Sequence, residues 1–233
     1  MRIKTLLPTN WLGAGCLLCR CRLAIADHGI CSRCNHQITR FCYCGCCGSE
    51  LAFDMPHCGK CLTEPPQWQR LVAVSHFRPP LSELIHRFKF QRQFQLDRTL
   101  ARLLLLAVRQ ARRTHQLPLP DVILPVPLHR FRHWQRGYNQ SELLTKWLSR
   151  WLAIPYDKQL LQRTRHTTAQ RALNRKQRRK NLKNAFNLRS KPSYHSVAIV
   201  DDVITTGATM TEICKLLQKC GVKHIQVWCL CRT

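Results

Sequence analysis

Apolar residues change spacing several times along this chain, and each change marks an element. Positions 71–77 alternate and predict a strand. After Pro79 and Pro80, residues Leu81, Leu84, Ile85 and Phe88 recur at helical spacing, which predicts an amphipathic helix over 82–90. A longer helix is expected over 97–116, ended by Pro118 and Pro120, and a core strand over 121–126. Asn139 stands as an N-cap before a helix over 141–153. The run Val197-Ala198-Ile199-Val200 reads as a buried strand, a helix follows from 210 to 217, and 225–230 predicts a closing strand. Strands alternating with helices at this spacing imply an α/β fold with a mainly parallel sheet. A site is expected at the carboxyl ends of its strands.

The first sixty residues follow a different pattern, with few large apolar residues and a repeat of cysteines. Four Cys-x-x-Cys pairs occur: Cys16/Cys19, Cys31/Cys34, Cys44/Cys47 and Cys58/Cys61. Eleven residues separate Cys19 from Cys31 and ten separate Cys47 from Cys58, so the region reads as two zinc-ribbon-like units. Two such turns supply four thiolates, a tetrahedral set that suits zinc in a closed, structural site. Adjacent and interleaved pairings both fit the spacing, and disulfides or an iron–sulfur cluster are the rival readings. Cys21, Cys42 and Cys46 stand outside the pairs, while Cys214, Cys220, Cys229 and Cys231 lack ligand spacing and read as core thiols. The expected organisation is a double zinc-ribbon domain over 1–64, a linker over 62–69 marked by Pro65 and Pro66, and an α/β domain over 71–233.

Charge narrows the partners. With 38 Lys and Arg against 12 Asp and Glu, the formal net charge is +26, which draws the protein toward nucleic acid, anionic lipid or phosphorylated small molecules. Residues 163–191 hold eleven Lys or Arg and no carboxylate. Charge alone leaves two readings open for them: a solvated connector, or an arm that contacts nucleic-acid phosphates. Of the fifteen cysteines, eleven fall between Cys16 and Cys61, which favours metal thiolates in a reducing cytosol over a secreted disulfide framework. The start of the chain is too polar for a signal peptide, and the most apolar run, 100–108, contains Arg102. A soluble, cytoplasmic protein without membrane insertion is expected.

The chemistry concentrates where the 197–200 strand runs into Asp201 and Asp202, followed by Val203, Ile204 and then Thr205-Thr206-Gly207-Ala208-Thr209. Loop and helix-start amides favour an anion, and the threonine hydroxyls add donors. The two carboxylates suit a diol. Together these groups describe a site for a ribose 5-phosphate, set against the plain alternative of a structural β–turn–α unit.

This stretch resembles the PRPP-binding signature of type I phosphoribosyltransferases, two acidic residues before a Thr-Thr-Gly-x-Thr loop. The resemblance implies PRPP binding by Asp201, Asp202, Thr205, Thr206, Gly207, Ala208 and Thr209, with Mg²⁺ accompanying PRPP. It also implies a pyrophosphate loop after the 121–126 strand, carried by Pro127, Leu128, Arg130, Arg132 and Arg136. Gln170, Arg171, Arg175 and Arg178 then fall in the part of the chain that closes over PRPP in such enzymes. With the cysteine pairs upstream, and with Pro125-Val126-Pro127-Leu128 and Arg136-Gly137-Tyr138-Asn139-Gln140, the whole chain is similar to the ComF/GntX group of competence and DNA-utilisation proteins. Its α/β half is similar to part of glutamine PRPP amidotransferase, without that enzyme's glutaminase domain. The group implies single-stranded DNA and DNA-uptake or helicase proteins as partners. Active phosphoribosyl transfer and a nucleic-acid-binding adaptor without catalysis are the alternatives, and no catalytic residue is assigned.

Overall fold

The computed structural model describes residues 15–128, 134, 136–164 and 184–233. Its centre is a four-stranded parallel sheet in the order β1-β6-β5-β2, formed by β1 (Arg70–His76), β2 (Val122–Pro125), β5 (Ser196–Ile204) and β6 (His224–Arg232). These strands read as almost unbroken apolar runs because helices cover both faces. Val72, Ala198, Val200, Trp228 and Leu230 face α3 (Leu81–Phe90), α4 (Leu96–Thr114) and α5 (Gln140–Leu152). Ala73, Val197, Ile199, Val227 and Cys229 face α6 (Ala208–Lys219), whose Met210, Ile213, Cys214 and Leu217 are buried against them. The predicted strands and helices are all present with shifted ends. α6 begins at Ala208 rather than 210, and the last strand runs on to Arg232. Cys214, Cys229 and Cys231 are core thiols as expected, whereas Cys220 is only half-buried, lying just beyond the end of α6.

Two features differ from the sequence reading. A small antiparallel ladder, β3 (Leu161–Arg163) with β4 (Phe186–Leu188), was not expected, because three-residue strands leave no periodic signal. Residues 62–69 are also more than a connector. They hold the end of α2 (Gly59–Thr63) and Trp68, which is 6% exposed and donates from Nε1 to the Cys46 carbonyl at 2.8 Å.

The cysteine-rich region packs on the sheet and helices through apolar side chains and a few directed bonds. Ile30, Cys34 and Ile38, the last two on and just after α1 (Ser32–Gln37), share the core of α3 and α4. Arg98 on α4 grips Asp27 through both carboxylate oxygens at 2.6 and 2.7 Å, and Arg87 on α3 donates to the Leu17 carbonyl at 2.7 Å. Farther along, Leu71 N donates to the Gly45 carbonyl at 2.8 Å and Ser75 Oγ to the Thr39 carbonyl at 2.6 Å. No described helix is long and apolar enough to cross a membrane.

Candidate functional site

The carboxyl ends of β1, β2 and β5 open into a cleft of about 810 Å³. β5 carries Asp201 and Asp202 in its second half and ends at Ile204. The chain then turns through Thr205 and Thr206 to Gly207, which sits at φ 74° as the N-cap residue of α6. A residue with a side chain is disfavoured there on two grounds: the left-handed φ, and an added Cβ falling 2.8 Å from Trp68 Cη2. The first bond of α6 runs from Thr211 N to the Gly207 carbonyl at 2.8 Å, so the Thr209 and Met210 amides precede the helical ladder. Thr206 Oγ1 accepts from Ala208 N at 3.4 Å. An anion at this helix start meets amide donors and the positive end of the helix dipole.

The Asp pair is held by the helices across the cleft. Asp202 is 7% exposed, and its Oδ1 lies 2.7 Å from Lys89 Nζ, near the end of α3. Asp201 Oδ1 accepts from Ser141 Oγ at 3.2 Å and from the Asp202 amide at 2.9 Å. Burial raises the Asp201 carboxyl, and the neighbouring Asp202 charge adds to it. The Lys89 ammonium, the Asp202 amide and the Ser141 hydroxyl pull the other way, leaving a value of about 7. Ser141 is positioned by the expected cap. Asn139 Oδ1 accepts from Ser141 N at 3.1 Å, while its Nδ2 donates to the Val126 carbonyl at 3.0 Å. The cap therefore ties the end of β2 to the start of α5.

Each predicted position can now be located. Asp201, Asp202 and Thr205 through Thr209 all line the cleft, as do Pro127, Leu128 and Arg136. Arg136 Nη1 donates to Gln140 Oε1 at 3.2 Å, and its guanidinium lies 5.0 Å from the Phe90 ring centre. Arg130, Arg132, Gln170, Arg171, Arg175 and Arg178 lie outside the described residues. Lys89 faces the pocket, because α3 turns its carboxyl end toward the strand tips. Sequence reasoning missed Ser141, Arg163 and the aromatic rim of Phe77, His86 and Phe90. Helical periodicity hinted at α3, but nothing local marks which of its polar residues meets a strand far along the chain.

The cysteines form two separate sets. Cys16, Cys19, Cys31 and Cys34 gather at one point and Cys44, Cys47, Cys58 and Cys61 at another, each with its sulfurs within 4.8 Å of one another. Adjacent pairs thus share a site. Contacts of 3.7 Å (Cys19–Cys31), 3.8 Å (Cys47–Cys58) and 3.9 Å (Cys44–Cys61) are far too long for disulfides. They match the separation of about 3.8 Å expected for thiolates at 2.3 Å around tetrahedral zinc. Backbone amides aim at the sulfurs: Cys31 N at Cys16 Sγ (3.3 Å) and Cys58 N at Cys44 Sγ (3.1 Å). Burial works to raise the Cys16 thiol, but the Cys19, Cys31 and Leu18 amides outweigh it and bring the value to about 6. At Cys47 the burial effect is likewise overcome, chiefly by the Ser49 hydroxyl and amide, to about 7. Burial and then the neighbouring thiols drive Cys34 and Cys61 upward. Each set offers four sulfurs around one point and fits one structural zinc.

Residues 144–233 match the phosphoribosyl transferase domain family. Competence protein F of Haemophilus influenzae is 56% identical over 226 residues, covering 96% of this chain and 99% of that one. DNA utilization protein YhgH of Escherichia coli O157:H7 is 50% identical over 219 residues, 94% of this chain and 96% of that one. Competence protein ComFC of Streptococcus pneumoniae is 25% identical over 166 residues, 69% of this chain and 70% of its own. The first two relatives span the cysteine pairs as well as the α/β part, and the chain belongs to the competence protein F family.

Proposed function

We propose that the cleft binds a ribose 5-phosphate, PRPP being the leading ligand, in a protein that serves DNA uptake or utilisation. The 5-phosphate sits on the loop from Thr205 to Thr209, and the ribose diol hydrogen-bonds to Asp201 and Asp202. Mg²⁺ accompanies a pyrophosphate on the side of Pro127, Leu128 and Arg136. The observation that carries this reading is the juxtaposition, in one cleft, of a glycine-started helix N-terminus and a carboxylate pair held 2.7 Å from Lys89. A lysine on a buried acid offsets that acid's charge and can turn to an incoming phosphate. The names of the relatives support the role in DNA handling.

Calorimetry with PRPP and ribose 5-phosphate, each with and without Mg²⁺, tests the proposal. Asp202→Asn keeps the shape and removes a charged acceptor, so affinity should fall by about 1.5–3 kcal/mol, roughly ten- to hundredfold. Unchanged affinity in Asp202→Asn and in Thr206→Val would reduce the stretch to a structural β–turn–α unit. A second reading has its own observation. Phe77 and Phe90, 45% and 48% exposed, line the cleft beside His86 and Arg92, as in surfaces that stack bases of single strands. Release of pyrophosphate from PRPP in the presence of a base or nucleotide would mark phosphoribosyl transfer. Tight, salt-sensitive binding of single-stranded DNA that survives Asp202→Asn would favour the adaptor.

A further inference from the structure

The second thiolate cluster and the phosphate loop share two supports. Arg232, near the end of β6, donates from Nε to the Cys47 carbonyl at 3.3 Å. Its Nη1 donates to the carbonyl of Ile204 at 3.3 Å and to that of Thr205. Trp68 makes the same connection by another route. Its Nε1 donates to the Cys46 carbonyl at 2.8 Å, and its ring occupies the space that a Cβ on Gly207 would fill, 2.8 Å away. Cys46 and Cys47 belong to the turn that presents Cys44 and Cys47 to the metal site, while Thr205 and Gly207 begin the phosphate loop. One guanidinium and one indole therefore touch both.

The physical consequence follows from stiffness. A metal in the four-thiolate set fixes the direction of the Cys46 and Cys47 carbonyls, because the turn between Cys44 and Cys47 has to hold both sulfurs on one ion. A planar guanidinium bonded at both ends passes a shift of one end to the other. The indole, wedged against a residue without a side chain, does the same through van der Waals contact. We propose that metal occupancy of the Cys44/Cys47/Cys58/Cys61 cluster sets the conformation of the loop from Thr205 to Thr209, with Arg232 and Trp68 as the positioning residues. The first cluster makes its described contacts with α3 and α4, through Arg87 and Arg98, and serves as the control. If the cleft is the phosphate site read above, metal and ligand stabilise each other's binding by the same factor.

The test measures amide hydrogen exchange at 204–211 in the zinc-loaded full chain, without any ligand. Cys58→Ser should speed exchange there by about fivefold or more, a typical coupling between linked sites. Cys31→Ser should leave it unchanged, and amides 197–200 and 226–230 should stay protected in both. Because Cys58→Ser can unfold the second cluster altogether, Arg232→Gln and Trp68→Phe, which keep every thiol, form a second arm. Each should speed loop exchange in the loaded protein, and each should hasten zinc release to a chromogenic chelator from one of the two sites. Loop exchange that ignores Cys58→Ser, or zinc release and loop exchange at unmodified rates in both Arg232→Gln and Trp68→Phe, overturns the proposal. The ribose 5-phosphate arm is separate. A loaded chain whose loop follows the cluster but which fails to bind ribose 5-phosphate supports the coupling and removes the reading of the cleft.

Discussion

At the scale of single residues, Gly207 and Asp201 make the sharpest claims. Gly207→Ala must hold a left-handed φ and press a methyl group into Trp68, so the loop has to move. The backbone cost alone is about 1–2 kcal/mol. We expect a lower melting temperature and a loss of ribose 5-phosphate affinity of tenfold or more, roughly 1.4 kcal/mol, read by calorimetry. Asp201 carries a pH dependence. Its folded-state value of about 7 lies above the ordinary carboxylate range, so the native protein binds this proton more tightly than the unfolded chain does. The contribution to stability is full below the ordinary carboxylate value of about 4 and is lost as pH rises from there through 7. Asp201→Asn should therefore flatten the fall in melting temperature between about pH 4 and 7, whereas a variant with an unchanged profile would assign the fall to other groups. Ligand binding has the opposite sign. A diol accepted by an ionised carboxylate binds better above pH 7, and Asp201→Asn should remove that rise.

At the scale of elements, the strands and helices of the α/β part were readable because each has its own periodicity and its own stop signals. Asn139 could be recognised as a cap from its place before an apolar helix, and it is one. The loop from Thr205 to Thr209 was legible for the same reason, since an apolar strand, an acidic pair and a glycine stand in order. What periodicity could not deliver was any pairing across the chain. Lys89 meets Asp202 and Ser141 meets Asp201 only because α3 and α5 bring them to the strand ends. The β3–β4 ladder went unseen because its strands are three residues long and separated by 22 residues of mostly polar sequence. The cysteine spacing marked the four pairs but not which of them gather into one cluster. For those elements, elemental analysis of reduced protein should find about two zinc ions per chain. Cys31→Ser and Cys58→Ser should each reduce the count by about one, and iron with labile sulfide would contradict the assignment.

At the scale of the whole molecule, +26 charges on 233 residues set the terms for any polyanion. Affinity for single-stranded DNA should fall steeply with salt, with a logarithmic slope of about 0.7 per phosphate contacted. Neutralising Arg175, Lys176, Arg178, Arg179 and Lys180 should flatten that slope, and an unaltered slope would move the DNA surface to the cysteine-rich region. The β3–β4 ladder has a consequence for such work. Thr164 N donates to the Ala185 carbonyl at 3.0 Å, and Arg163 pairs with Phe186, so residues 164 and 185 stand side by side. Between those two, residues 165–183 carry eight Lys or Arg and no Asp or Glu. Exchanging them for a four-residue turn changes loop-closure entropy by only about 1.4 kcal/mol, in the stabilising direction. The excision removes eight of the +26 charges, nearly a third, and should leave the melting temperature no lower, a result that would also mark the 164/185 junction as a place for a reporter insertion.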